Sequence, residues 1–393
     1  MSGERMTGAR RGSILFITHV GDPGGAEFKM MAIAGTMSDS AEVLLLQHGS
    51  LEGLLEAAGI RHSVQPLAAG TRKVRREGGF ASLLRALPGT LAMVCHVARK
   101  ARAFDVVVCF SQKAFVLASL AKPFMRRPIL WFMNDILSAD HFHPAMIRML
   151  IGLSRFSANG VAVVSRESLD QWLRAGGRRE GVSVVVSGID PAQVARQLGD
   201  SERVADYRRR FSPDGAPLIG VFGRICRWKG QDLFLRALAL VPGARGVIAG
   251  GALFEEQAFE RELRELAAQP GLSDRVAFAG HVDDVMTLMA ACDVVVHCST
   301  APEPSGRVIV EAMFAGTPVI GSNAGGVPEF ISDGDTGQLT PLNDHEALAA
   351  AVRRYLENPQ WSREIAARAR LRAEENFTSR ATVRGFQRAL EGL

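Results

Sequence analysis

Short runs of Val, Ile and Leu that stay apolar at every position recur along this chain, each followed by a stretch of helical period. A strand buried on one face alternates apolar and polar residues, whereas a strand apolar throughout must be covered on both faces. Helical connections between such strands imply parallel pairing, since parallel neighbours need a crossover. The pattern occurs as two successive series. The first has strands expected at 13–18, 42–47, 106–110, 129–132, 161–164 and 182–186, with helices at 26–37, 80–101, 112–121, 144–156 and 166–175. The second has strands at 218–222, 246–249, 276–278, 294–298 and 318–321, with helices at 229–240, 254–268, 285–291 and 308–315. Between them, Ser187-Gly-Ile-Asp190 reads as a hinge, followed by a polar helix over 200–210. The tail over 345–393 is helical, interrupted at Asn358-Pro359 and near Phe377-Thr378. The expected class is α/β, with two Rossmann-like βαβ domains, 1–188 and 189–377, facing across a cleft. Ligands of such sheets bind at the strand C-termini.

The 393 residues suffice for two domains of ordinary size, and 47% hydrophobic with 22% charged residues is globular composition. Forty glycines without a low-complexity tract point to many tight strand-to-helix turns. The net charge of +5 is unevenly placed: residues 1–190 hold 23 Lys+Arg against 15 Asp+Glu, and the remainder 23 against 26. That bias suggests the first half meets something anionic. The five cysteines show no CxxC spacing and mostly sit in apolar runs, so buried reduced thiols and a cytoplasmic location are expected. The apolar run from Ile14 to Val20 contains His19 and ends in Gly-Asp-Pro, which reads as a first core strand and not a signal peptide. No run approaches the ~18 apolar residues of a membrane span. No aromatic interleaving and no basic helix face suggest nucleic-acid binding.

Chemistry concentrates in residues 293–329, a strand, a loop, a helix from about Ser305 and a second strand. Glu303 and Glu311 lie eight apart across the loop-to-helix junction. Backbone amides at Ser305, Gly306 and Arg307 suit an anion, and the carboxylates suit a ligand that also has hydroxyls to donate. The alternative is a capped helix with solvated glutamates. Gly223-Arg224 ends the first strand of the second series and Lys229-Gly230 opens the next helix. An Arg fork and a Lys point charge there can converge on one diphosphate, or else form a solvated basic turn. The loop Gly21–Glu27, with Gly24 and Gly25, lets backbone approach a phosphate at the first strand end.

Asp333-Gly-Asp335 imitates a metal-binding pair but reads as a surface turn. His141 and His143 have no third ligand at a suitable spacing, so no metal is expected. Arg72-Lys-Val-Arg-Arg76 and Arg99-Lys100-Ala-Arg102 flank an apolar helix over 80–97. This suggests transient attachment to an anionic membrane face, against the alternative of a core-packing helix with solvated ends.

Taken together, the motifs resemble the GT-B glycosyltransferases of the large retaining family 4 type. They are Gly24-Gly-Ala-Glu27, Ser187-Gly-Ile-Asp190, the stretch from Phe222 to Gly230, Ala249-Gly-Gly251, the stretch from Phe278 to Val285, and residues 293–341. The resemblance covers nearly the whole chain. It implies transfer of a sugar from a nucleoside-diphosphate sugar to an acceptor hydroxyl (glycan, lipid-linked or small molecule) with retention of configuration. It implies no cofactor beyond the donor substrate. Catalytic roles would fall on Glu303, Arg224 and Lys229. The last two would hold the diphosphate beside Gly223, and Glu303 would face the transferred sugar. Glu311 would accept from the ribose, with Ser305, Gly306 and Arg307 beside the sugar or phosphate. The base would rest near His281 and Val282. Gly24 and Gly25 would approach from the other lobe, and a final helix over 378–393 would cross back to that lobe. Relatives often have Phe at the position of Ser305 and Asn at that of Ser187, and many carry a first-lobe His that this chain lacks. Asn134, Asp135 or His141 stand as replacements on the acceptor side. Two other readings remain: a GT-B sugar-nucleotide epimerase or phosphorylase, and a non-catalytic sugar-nucleotide-binding protein.

Overall fold

The structure is a computed structural model that describes residues 12–67, 80–139, 141–252 and 256–393, without the side chains of 80–87. The basic run Arg72–Arg76 and the first residues of the helix expected from 254 lie outside the described residues. Two compact units form. One comprises Met1–Val163, Trp172–Val185 and Val383–Leu393, the other Val164–Gln171 and Val186–Thr382.

The first unit is built on a parallel sheet of β1 (Ile14–Thr18), β2 (Ala41–Leu45), β3 (His62–Val64), β4 (Val106–Cys109), β5 (Ile129–Met133), β6 (Gly160–Val163) and β7 (Val182–Val184). The order is β3-β2-β1-β4-β5-β6-β7, so the chain reverses direction between β1 and β4. β1, β5 and β6 are buried at every position, as their unbroken apolar sequences require. The second unit repeats the plan with β8 (Leu218–Phe222), β9 (Arg245–Ala249), β10 (Val276–Gly280), β11 (Val294–His297), β12 (Val319–Ser322) and β13 (Gln338–Thr340), in the order β10-β9-β8-β11-β12-β13. Its reversal lies between β8 and β11. At such a switch point the crossover helices leave on opposite faces, and the two loops at the strand C-termini are left uncovered.

Several elements escaped the sequence pattern. β3 and β13 are three-residue strands carrying His62, Ser63, Gln338 and Thr340. Helices Leu51–Ala57 and Pro191–Leu198 are short, and the second starts on a proline that Asp190 caps through Ala192 N at 3.0 Å. The helix expected at 229 begins at Gln231, after a 3₁₀ turn over Arg227–Lys229. Cys95 is exposed, contrary to the expectation of buried thiols, while Cys109, Cys226, Cys292 and Cys298 are buried.

The Ser187-Gly-Ile-Asp190 segment is clamped by the chain near Phe377-Thr378. Ile189 N donates to Phe377 O at 2.9 Å and Ser379 N to Ile189 O at 2.8 Å. A Cβ at Gly188 would lie 2.1 Å from Thr378 O, so only glycine admits the crossing. The helix Phe80–Ala101 buries Met93, Val94, Val97, Ala98 and Ala101, a core-packing face over its second half. Among the described residues no helix is long and apolar enough to cross a membrane.

The last helix, Ser379–Glu391, continues into the first unit, where Phe386 is fully buried. Its ring lies 5.8 Å from Phe16 on β1 and 6.3 Å from Phe132 on β5. Removing a buried aromatic ring costs about 3–5 kcal/mol. Phe386→Ala should therefore lower the unfolding free energy of the first unit, read from urea denaturation, by that order. A change below about 1 kcal/mol would mean that this helix is not part of the first core.

Candidate functional site

Two loops meet at the switch point of the second sheet. The first leaves β8 through Gly223 (φ +125°) and Arg224, passes the turn Arg227–Lys229 and reaches Gly230 (φ +70°). The second leaves β11 at His297 and runs through Ser299 to Glu303. A Cβ on Gly230 would sit 2.0 Å from Cys298 O, so glycine is required both by the left-handed backbone and by the contact. Thr300 N donates to Trp228 O at 2.8 Å and the Cys298 thiol to Gly230 O at 3.1 Å. These backbone contacts deliver the Lys229 ammonium onto Glu303, Nζ to Oε1 at 2.7 Å.

Glu303 is 6% exposed and anchored from several sides. His297 Nε2 stands 2.9 Å from Oε1, and the Ser299 hydroxyl donates to the same oxygen. Its backbone is held as well: Gly326 N donates to Glu303 O at 2.7 Å. Gly325 (φ +62°) lies so close that a Cβ there would be 2.3 Å from that oxygen. Burial alone would push the carboxyl pKa up, but the charges of Lys229 and His297 and the hydrogen bonds from both outweigh it. Glu303 is thereby held well below the usual carboxylate range and is ionised.

Glu311 lies on the helix Arg307–Ala315, also buried, with Arg307 Nε donating to Oε1 at 2.9 Å. Here burial wins over the Arg307 charge and the pKa is raised. Neither glutamate is a solvated side chain. Arg307, expected to contribute its amide, also engages Glu311 through its guanidinium. The N–H groups of Ser305 and Gly306, at the start of this helix, donate to no described residue. Arg224 and Lys229 lie on either side of Cys226 in the chain, whose thiol pKa burial raises in spite of both charges. Gln231 Nε2 donates to Arg224 O at 3.0 Å. His281 and Val282 follow β10, and the exposed His281 ring lies 3.2 Å from Asp283 Oδ1.

The remaining candidates belong to the first unit. Gly24 and Gly25 start the helix Gly25–Gly35, with Gly24 N donating to Glu27 Oε2 at 3.1 Å. Asn134 accepts from Lys29 Nζ at 3.2 Å and donates to Phe110 O and Phe132 O, which ties it into the fold. Asp135 accepts from Gln112 and lies near enough to Glu27 to help burial raise the Glu27 pKa. His141 N donates to Ser138 O at 3.2 Å. Glu27 entered the sequence reading only as the end of the Gly24–Glu27 motif, and the buried Lys29, four residues beyond the Gly-Gly turn, went unread. So did His297 and Ser299, whose signal is a polar pair closing an otherwise apolar strand six and four residues before Glu303. Asp333 and Asp335 form a turn, Asp333 Oδ1 accepting from Leu339 N at 2.8 Å and Asp335 pairing with Arg368 at 2.8 Å. Among the described residues no three His, Cys, Asp or Glu gather as a metal-binding group.

Comparison with known proteins gives the following. The family model of the glycosyl transferases group 1 matches residues 205–372. The crystal structure of Anabaena Alr3699/HepE in complex with UDP-glucose is 33% identical, with a TM-score of 0.88 over 98% of this chain and 100% of that one. Lipopolysaccharide core biosynthesis glycosyltransferase LpsE of Rhizobium meliloti is 33% identical over 42% of this chain and 46% of its own length. Lipopolysaccharide core biosynthesis mannosyltransferase LpsB of the same organism is 29% identical over 54% of this chain and 61% of its own. The chain thus spans about half the length of the curated relatives it matches. A glycosyltransferase from Rickettsia africae, at 19% identity and a TM-score of 0.81, shares the GT-B fold.

A depressed carboxyl pKa contributes stability above the unfolded value of 4.5, lost as pH falls through the folded value. Breaking a buried pair by removing one charge costs about 3–5 kcal/mol. Glu303→Gln should therefore lose stability of that order at pH 7, and the gap to wild type should narrow only below pH 4.5. An equal gap at all pH values would show that Glu303 is not an ionised, paired group.

Proposed function

Because this chain belongs to the group 1 glycosyltransferases, we propose that it moves a sugar from a nucleoside-diphosphate sugar to an acceptor hydroxyl, with retention at the anomeric carbon. The observation that carries the reading is the ionised, buried Glu303 paired with Lys229 at 2.7 Å, beside the amides of Ser305 and Gly306 at a helix start. A hydroxyl acceptor and a set of anion donors at one strand end suit a ligand that is part sugar and part phosphate. HepE, complexed with UDP-glucose and with UDP and glucose, points to such a donor. The lipopolysaccharide core enzymes point to a saccharide or lipid-linked acceptor.

In this mechanism negative charge develops on the leaving diphosphate as the glycosidic C–O bond breaks. In this reading Arg224, Lys229 and the amides at Ser305 and Gly306 stabilise that charge, and preorganised donors of this kind supply the largest part of such catalysis. An ammonium has three N–H donors, so Lys229 can hold Glu303 and a phosphate oxygen together. Glu303 accepts from hydroxyls of the sugar being transferred. Glu311 accepts from the ribose hydroxyls, its second oxygen remaining beside the one that Arg307 occupies. His281 and Val282 border the base. The role of the first unit is to present the acceptor, with Asp135 and Glu27 as its carboxylates.

Lys229→Ala should lower transfer by about 10²- to 10³-fold, the usual loss for one charge-stabilising donor. Glu311→Ala should chiefly raise the KM for donor, since a ribose contact is alike in ground and transition state. Assays with a panel of UDP- and GDP-sugars and NMR of the product anomer test both roles and the retention. A Lys229→Ala variant with full activity, or an inverted product, would contradict the mechanism. Conversion of donor without acceptor would indicate an epimerase instead.

A further inference from the structure

Among the described residues, every donor to the Glu303 carboxylate reaches the same oxygen. Oε1 receives Lys229 Nζ, His297 Nε2 and the Ser299 hydroxyl, while among the described residues nothing donates to Oε2. Nor is Oε2 sealed from solvent, unlike His297 Nδ1, which is fully buried and has no partner.

His297 is the last residue of β11 and 5% exposed. A carboxylate only accepts, so the ring nitrogen facing it must carry a hydrogen, which assigns Nε2 as N–H. Nδ1 is then left with an unused lone pair or an unused N–H. The three preceding strand positions, Val294 to Val296, are filled by valine with no such cost. A buried polar atom without a partner is unfavourable, and its presence calls for a compensating role of the nitrogen that is used. Lys229 sets the charge beside Glu303 through a flexible stem. A planar imidazole on a strand end sets a direction. The Ser299 hydroxyl, 3.4 Å from His297 Nε2, completes the set, and Ser322 Oγ fixes the backbone of both by donating to Ser299 O at 2.9 Å and His297 O at 3.2 Å.

We propose that His297 is a positioning residue for sugar transfer. By donating to Oε1 it locks the orientation of Glu303 and leaves Oε2 as the acceptor offered to the donor's sugar hydroxyls. The inference rests on the reading of this site as a nucleotide-sugar site. His297 makes and breaks no bond itself; it acts through Glu303.

Two variants separate this role from simple packing. The amide of His297→Gln can place an N–H where Nε2 stands, whereas His297→Leu fills the space without a donor. Both are first checked for a native melting transition. The probes are UDP-glucose or GDP-mannose, whichever the wild type takes, and the matching bare UDP or GDP. Calorimetry should show bare nucleotide binding unchanged in both variants, and the extra affinity from the sugar lost in His297→Leu. Transfer should fall in His297→Leu by about a hundredfold, the scale of a small misplacement of a reacting group, and largely recover in His297→Gln. In a Glu303→Ala background, adding His297→Leu should cost little more, since the two act as one unit. Equal loss in Leu and Gln variants, or loss of bare nucleotide binding along with the sugar's share, would make the role structural and overturn the proposal. An active wild type with an unaffected Leu variant overturns the inference alone. A wild type that takes neither nucleotide sugar overturns the donor-site reading and the inference with it.

Discussion

An ionised carboxylate cannot stay buried without a partner, and the second unit is arranged around that constraint at Glu303. The desolvation of a lone charge would raise its pKa until it took up a proton. Lys229 prevents this, but it lies 74 residues away in sequence and on another loop. The pairing therefore requires the loops after β8 and β11 to touch backbone to backbone. Gly230 permits that touch against Cys298, and Gly325 does the same behind Glu303. Substituting either glycine would displace the charge pair without altering a charged residue. The paired carboxylate is thus a property of the packing of three loops.

The same sheet geometry explains why the polar atoms collect where they do. Strands β8 and β11 are apolar up to their last residues because both faces are covered. Polarity appears only where cover ends, at Gly223-Arg224 and at His297. The first unit follows the same rule: β1 ends in Thr18, and Ser111-Gln112 and Asn134-Asp135 come soon after β4 and β5, with Thr18 donating to the buried Glu27 and Asn134 accepting from the buried Lys29.

Much of this was legible in the sequence, for identifiable reasons. Central strands such as β1, β5, β8 and β11 are unbroken apolar runs, which have few other uses in a chain with so many charged helices. The edge strands β3 and β13 were not legible, because three polar-containing residues carry no period. Glu303, Glu311, Arg224 and Lys229 stood out by residue type and by their place after strands. Their pairings did not stand out. Whether Lys229 meets a phosphate or a glutamate depends on a contact between residues 74 apart in sequence, and no local pattern encodes it. His297 was hidden for the opposite reason, lying inside a run of apolar residues read as core. Burial, which the sequence could not assign to Glu303 and Glu311, changed their meaning most. It pushes both pKa values up; Lys229 and His297 reverse the push at Glu303, whereas the Arg307 charge does not offset it at Glu311.

In the proposed donor complex Glu303, fixed through Oε1 by Lys229, His297 and Ser299, offers Oε2 to the sugar of a nucleotide donor. A crystal structure of the chain with an intact nucleoside-diphosphate sugar tests it most directly. A sugar hydroxyl is expected within about 3 Å of Glu303 Oε2, the usual hydrogen-bond distance, with Oε1 still bound to all three protein donors. A sugar bound elsewhere, or a Glu303 that releases His297 and Ser299 to reach it, would contradict the account.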